Sequence, residues 1–523
     1  MALKGRTLFR ASAAVVIASV FGWNYFHAKD ASPATATAPA TSPETDAAPA
    51  KPRTWRLGSV TLTACELGKP HSGLSTAAWC ADFPVPENRA DPHSRKIMLK
   101  LAVLRSGAQV PSGDMLVFLA GGPGQAATDA AGAVAAVLEP LRAHRDVLLL
   151  DQRGTGGSNA LSCKDADEIT AQDDEDSDDV RKMRSAAEAC LRQIGSHADP
   201  RYYTTTIATE DLEDVRKALG SPSFDLLGVS YGTRMAQQYL MHYPDAVRSV
   251  VLDSAVPNTL ALGESFAQTL DEALKLQFAR CTADPACKQR FGDPDQTLYQ
   301  LRDALRANPH LVSFRDPETY RSVQRVLNES ALANVVRMFA YTPPTAALLP
   351  MSIDAAAHGD VGPLLGQAKI LSGDLSELMG SGMQYSVICS EDADLLTPRP
   401  QDAQTILGNK LVDALKAVCS IWPRGARPSN FHAPLKTDKP VLLLAGQYDP
   451  VTPPRYAEEI AKGLPNARVL VLKGQAHSVM AAGCAPKLIK QFIERPDPKR
   501  LDATCLDLLQ PTPIFIDFNG STP

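Results

Sequence analysis

Six short apolar runs, each closed by a turn signal, constrain the fold of this 523-residue chain more than any other feature. They are MLVFLAGGPG (115–124), DVLLLDQRG (146–154), FDLLGVSYG (224–232), VRSVVLDSAVP (247–257), PVLLLAGQYDP (440–450) and ARVLVLKGQAH (467–477). Hydrophobicity within each run is continuous, not alternating. A strand of that kind needs cover on both faces, which is the situation of a parallel sheet. Helical segments lie between the runs. YGTRMAQQYLMHY follows Ser230 and stops ahead of Pro244. ATEDLEDVRKALG sets Leu212, Val215 and Leu219 on one face and ends at Gly220. Strands alternating with helices predict an α/β fold with a mostly parallel, doubly wound sheet. An earlier stretch, IMLKLAVLRSG, predicts a strand ahead of the parallel part.

The rhythm stops between residues 258 and 439. There, ESFAQTLDEALKLQFARC places Phe266, Leu270, Leu274 and Phe278 at spacing four, and SALANVVRMFAY and QDAQTILGNKLVDALKAVC are also helical in pattern. The expectation is a mainly helical cap (258–439) inserted between two parts of a core, 54–257 and 440–523. An insertion at that point sits over the carboxyl edge of the sheet, where open α/β folds bind ligands.

Upstream, Lys4, Arg6 and Arg10 precede an apolar run from Ala11 to Gly22, the pattern of an export signal over residues 1–30. The run is shorter than the roughly 20 residues of a membrane span. Cleavage near Ala28 or Ala31 and an uncleaved anchor both remain open, so the only membrane contact expected is through this segment. Residues 31–53, rich in Ala, Pro and Thr, lack the apolar surface to offset ordering and read as a disordered linker. The ten cysteines agree with a periplasmic or secreted destination. Taken as neighbours they pair 65 with 80, 163 with 190, 281 with 287, 389 with 419 and 484 with 505, although sequence does not fix connectivity. Their spacings match no zinc site, and the acidic run 173–179 reads as a solvated surface, so no metal or other cofactor is expected. A net charge of −5 argues against a nucleic-acid partner.

The chemistry centres on Gly228-Val229-Ser230-Tyr231-Gly232. A strand-to-helix turn favours Gly and Ser without any chemistry, and a lone G-x-S-x-G is weak evidence. Here, however, the motif follows a strand and opens a helix, the context in which a nucleophilic serine is held on a strained bend. Such a serine needs a base, and the base an orienting acid, both later in the chain. Asp449 and His477 each lie just past the end of an apolar run. Asp253 is the rival acid, just past the strand VRSVVLD. Tyr231 N–H and Gly122 N–H, the latter in AGGPG after an earlier strand, are the expected oxyanion donors; Pro123 has no N–H to give.

GGPG (121–124), DQRGTGGS (151–158), GVSYGT (228–233), Asp449 in YDPVTP and His477 in GQAHSV together resemble the α/β-hydrolase serine aminopeptidases, a group that includes prolyl aminopeptidases and secreted bacterial tripeptidyl aminopeptidases. The resemblance spans most of residues 55 to 490. Ala120 stands where prolyl aminopeptidases have a histidine before GGPG, which bears on prolyl specificity and not on fold. The resemblance implies an α/β-hydrolase fold, a peptide substrate and release of residues or short peptides from a free N-terminus. Such an enzyme must bind an ammonium, for which Glu391 and Asp392 in VICSEDAD are the candidates. Asp151 and Arg153 are expected to form a structural ion pair beneath the site. A carboxylester hydrolase on the same triad is the alternative activity, and a non-catalytic binding protein on the same fold the third reading.

Overall fold

The computed structural model of the chain describes residues 53–68, 75–163, 179–317, 319–367, 369, 380–517 and 519–521. The expected export segment, the linker up to residue 52 and the acidic run through Asp178 lie outside the described residues.

The described residues open with four antiparallel strands: β1 (Thr54–Leu57), β2 (Val60–Leu67), β3 (Thr76–Pro86) and β4 (Lys96–Leu104). The first four apolar runs then form β5 (Met115–Leu119), β6 (Val147–Leu150), β7 (Phe224–Val229) and β8 (Val247–Asp253). A hairpin of β9 (His310–Arg315) and β10 (Ser322–Leu327) stands apart, and the last two runs give β11 (Val441–Gly446) and β12 (Ala467–Leu472). One ten-stranded sheet runs in the order β1-β2-β3-β4-β6-β5-β7-β8-β11-β12, parallel from β6 onward.

Every residue of β5, β6, β7 and β11 is buried, as continuous hydrophobicity requires. Alternate residues feed two cores. Val117 and Leu226 point to one face, Phe118 and Leu227 to the other. Helices α2 (Thr205–Leu219) and α3 (Tyr231–His242) cover the first face, and α1 (Ala131–Leu141) the second. β12 departs from the expectation of full cover: it is the sheet's edge, and Val471 is 40% exposed.

Between β8 and β11 the chain is mostly helical, including α4 (Phe266–Ala283), α5 (Glu329–Ala340), α6 (Ser381–Glu391) and α7 (Lys410–Cys419). Leu270, Leu274 and Phe278 of α4 join Leu332, Val336 and Phe339 of α5 in a core separate from those of the sheet. The β9–β10 hairpin was not foreseen. Of its residues only Phe314 and Leu327 are buried, so the apolar runs that mark core strands are missing. β1–β3 were also not foreseen, and β3 shows why. Pro84 and Pro86 argue against a strand, but the pairing of β3 with β2 stops at Cys80, opposite Thr63, so these prolines pair only with β4 and their missing N–H groups break no ladder.

Five disulfides join Cys65–Cys80, Cys163–Cys190, Cys281–Cys287, Cys389–Cys419 and Cys484–Cys505. That is the neighbour pairing. Cys389–Cys419 ties α6 to α7 and thereby fixes the end of α6, where Glu391 and Asp392 lie.

Candidate active site

The parallel strands end level with one another. Val229 lies opposite Asp253, Asp253 opposite Leu444, and Gly446 opposite Leu472. Chain leaving these ends therefore collects at one rim, and Ser230, Asp449 and His477 all stand on it.

Ser230 has φ 55° and ψ −122°, a conformation that side chains rarely adopt. The flanking glycines follow from contact distances. A Cβ on Gly228 would lie 2.5 Å from the carbonyl oxygen of Gly232, and one on Gly232 would lie 2.1 Å from that of Leu119. The serine thus sits on a bend pressed against the end of β5, at the N-terminus of α3, whose positive end favours negative charge there.

His477 Nδ1 lies 3.0 and 2.9 Å from the two carboxylate oxygens of Asp449. Asp449 is 1% exposed. Burial alone pushes its carboxyl up, but the His477 charge and hydrogen bond, with the amides of Thr452 and Val451, hold it below the ordinary range. For His477, burial pushes down and is outweighed by the charge and hydrogen bond of Asp449, with Asp253 adding, so its pKa is raised. The acid fixes the imidazole through Nδ1 and leaves Nε2 to face a nucleophile. Ser230 Oγ and His477 Nε2 make no hydrogen bond to each other or to any other described residue. Such bonds are often long without substrate and tighten in the complex.

Asp253 does not reach the imidazole as a hydrogen-bond partner. Its carboxylate accepts from the amides of Val479 (3.0 Å) and Met480 (2.9 Å), just past His477. Ser254 Oγ accepts the amide of Ser478 at 2.8 Å, and both serines have positive φ, 54° and 66°. Of the two candidate acids, Asp449 is therefore the one bonded to His477, and Asp253 anchors the loop that carries it. The sequence reading missed Thr452. Its hydroxyl donates to Asp449 Oδ2 at 2.8 Å, and its amide to Oδ1 at 2.8 Å. The signal was present in YDPVTP: a hydroxyl three residues past a candidate acid can close a turn onto it.

Gly121 passes close to Ser230, since a Cβ there would lie 3.3 Å from Ser230 Cβ. Gly122 is next, and neither its N–H nor that of Tyr231 donates to another described residue. Two unspent donors beside the serine fit an oxyanion hole.

Behind them lies a buried polar cluster. The Tyr231 hydroxyl receives a hydrogen bond from Gln152 Nε2 (3.0 Å) and lies 2.6 Å from Thr205 Oγ1. Thr205 donates to Glu391 through its amide (2.6 Å) and hydroxyl (3.0 Å). Asp392 accepts from Arg234 at 2.7 Å, while Glu391 stands 3.8 Å from the same guanidinium. Glu391 and Asp392 are 1% and 0% exposed, so both lie under the site instead of lining it openly. Burial, with Asp392 adding, pushes Glu391 up to about 7 against the pull of Arg234 and Thr205.

One expected pair is corrected. Arg153 bonds to Asp211 at 2.6 and 2.7 Å, not to Asp151. Asp151 instead accepts from Thr128 and Gly157 and holds its own loop. The two side chains leave the chain two residues apart toward different partners, which adjacency in DQRG does not reveal.

A family model described as "alpha/beta hydrolase fold" matches residues 114–482. The serine protease Hip1 of Mycobacterium tuberculosis is 25% identical over 477 residues, covering 84% of this chain and 89% of that protein. Carboxylesterase B of Mycobacterium tuberculosis is 26% identical over 437 residues, covering 78% and 82%. The tripeptidyl aminopeptidase of Streptomyces lividans is 30% identical over 190 residues, covering 34% and 35%.

Proposed function

This chain belongs to the α/β-hydrolase family, and on that premise we propose that it is an exported serine peptidase cutting peptide bonds near a free N-terminus. One observation carries the proposal. An imidazole clamped by a buried carboxylate through Nδ1, with Nε2 unspent, stands on the same sheet rim as a strained serine.

In this reading Ser230 Oγ attacks the carbonyl carbon and gives its proton to His477 Nε2. The oxyanion that forms accepts from the N–H groups of Gly122 and Tyr231. His477 then passes the proton to the leaving amine, and the acyl–Ser230 ester remains. Water, deprotonated by His477, releases the acid and restores the serine. Asp449 holds the imidazole in the right tautomer and stabilises its charged form. A substrate ammonium is drawn by the buried cluster, where two carboxylates, Glu391 and Asp392, face one guanidinium. Export is supported by the five disulfides.

Mass spectrometry of the products from a peptide mixture tests the proposal, with Ser230→Ala as the control. Peptides should shorten from their N-termini, and N-acetylated copies should persist. Equal loss of acetylated and free peptides would refute amine recognition. A carboxylesterase relative of similar identity keeps ester hydrolysis as the second reading. Turnover of short acyl esters with no peptide cleavage would select it.

A further inference from the structure

Helices α5 and α7 of the cap leave between them a cavity of about 440 Å³. Ser330, Ala333, Asn334 and Arg337 line it from α5, and their spacing of three and four makes them one continuous helix face. That face leads to the catalytic histidine. One residue past the end of α5, Tyr341 meets the His477 ring edge-on at 5.3 Å, and its carbonyl accepts the His477 amide at 3.1 Å. Arg337, one turn earlier, donates to the Tyr341 hydroxyl at 3.4 Å and lies over the Phe266 ring at 5.1 Å.

The cations of this cavity are not equivalent. Arg306 and Lys410, at its far end, both bond to Glu329. Arg337 makes no ion pair among the described residues. Its charge is close enough to His477 to oppose the imidazole's protonation. Glu329 is engaged by Arg306 and Lys410, and the cavity's other carboxylate, Asp413 of α7, forms no ion pair with Arg337; a guanidinium held by an aromatic ring and a phenol offers its fork of donors to an incoming carboxylate. The side of the substrate it meets follows from the chemistry. His477 protonates the leaving amine, so that nitrogen sits over Nε2, and the chain beyond it runs past the groups packed beside His477.

We propose that Arg337 binds a carboxylate on the leaving-group side of the substrate, within the cavity between α5 and α7. The inference rests on the serine peptidase reading above. The carboxylate has two sources, the free C-terminus of a short peptide or an acidic side chain just past the cut.

The test is kcat/KM on the alkaline plateau of the pH profile for three oligo-alanine peptides with free N-termini. One is the free acid, one the C-terminal amide, and one the amide with a single glutamate on the leaving side of the cut. The wild type should prefer at least one carboxylate-bearing peptide to the plain amide by about tenfold, as a charge-assisted hydrogen bond allows. Preference for the free acid identifies the C-terminus; preference for the glutamate peptide identifies the side chain. Arg337→Met should bring the ratio to about one, Arg337→Lys should retain part of it, and Arg337→Glu should invert it. Ratios taken within each variant do not depend on the yield of folded protein. A wild type without preference, or an Arg337→Met variant that keeps it, overturns the inference while leaving the peptidase reading intact. A wild type that is labelled at Ser230 by a fluorophosphonate but cuts no peptide overturns both.

Discussion

The amide of Ser230 donates to the backbone carbonyl of Asp253 at 2.9 Å, and the carboxylate of that same aspartate holds the amides of Val479 and Met480. One buried residue thus positions Ser230 from one side and the loop that carries His477 from the other. Burial pushes its carboxyl up to about 6, with the two amides and the His477 charge opposing, so above that pH it adds negative charge next to His477. Asp253→Asn keeps one acceptor and turns an NH2 toward the second amide. We expect kcat to fall about 10- to 100-fold, the scale of a mispositioned catalytic group. The acid limb of the pH profile should also move to lower pH, because a negative charge that favours the imidazolium is gone. A profile unchanged in position would mean that Asp253 acts on the loop alone.

In the proposed mechanism Asp449 sets the working pH. The raised His477 pKa places the inflection of kcat/KM above the 6.5 of an unperturbed imidazole. If His477 is the base, the enzyme should be inactive below the inflection, where Nε2 carries a proton, and active above it. Asp449→Asn removes the largest force that raises this pKa and also favours the wrong tautomer. The expected result is a loss of about 10⁴-fold in kcat, with the residual activity inflecting at lower pH. Rates measured across the acid limb for both proteins check the direction.

The rim was legible in the sequence because its residues interrupt continuous apolar runs at the point where each strand ends. Ser230, Asp449 and His477 could be placed without any contact information. What was not legible depends on partners distant in the chain. Asp253 and Asp449 look alike in sequence, and only the path of the loop after β12 decides which one meets the imidazole. Glu391 and Asp392 look like exposed acids until α6, tied to α7 by a disulfide, carries them beneath Tyr231 and Arg234. β3 was hidden by prolines whose tolerance depends on where its pairing with β2 stops.

Thr452 adds a hydroxyl to the acid. It donates to Asp449 Oδ2, which the histidine also approaches. Thr452→Val keeps the shape and removes the donor, leaving a buried carboxylate one hydrogen bond short. That costs about 1–3 kcal/mol. We expect a kcat reduced about tenfold with KM little changed, read from steady-state kinetics on one peptide substrate.

The elbow glycines fail for steric reasons. In Gly232→Ala the new methyl carbon would sit 2.1 Å from the Leu119 carbonyl oxygen and 2.7 Å from that of Ala120. Both are backbone atoms of a central strand's end and cannot rotate away. β5 and α3 must separate, at a cost of about 1–3 kcal/mol or more. The variant should melt at lower temperature than the wild type and lose fluorophosphonate labelling. Ser230→Ala should lose labelling alone. Calorimetry on the two variants separates the effects.

Glu391 ties the buried cluster to stability. Its carboxyl has an ordinary value of 4.5 and stands at about 7 in the fold, chiefly through burial. A folded pKa above the unfolded one means that the native state binds the extra proton between these values. Stability from this group is therefore full below about 4.5 and is lost as pH rises through 7. The whole effect is on the order of 3 kcal/mol, since each tenfold change in proton affinity is worth about 1.4 kcal/mol. Other carboxylates slope the opposite way; Glu213, for example, is held at about 2 by Arg216, Tyr239 and Lys217 against the opposing pull of burial. The difference between wild type and Glu391→Gln isolates the contribution. With disulfides intact, denaturant unfolding at a series of pH values should show the wild type losing stability relative to the variant from pH 5 to 8. If Glu391 also draws the substrate's ammonium, as proposed, the variant should show a higher KM for free-amine peptides. A flat difference curve would mean that Arg234 offsets the burial of Glu391, leaving no spare charge in the cluster for a substrate amine.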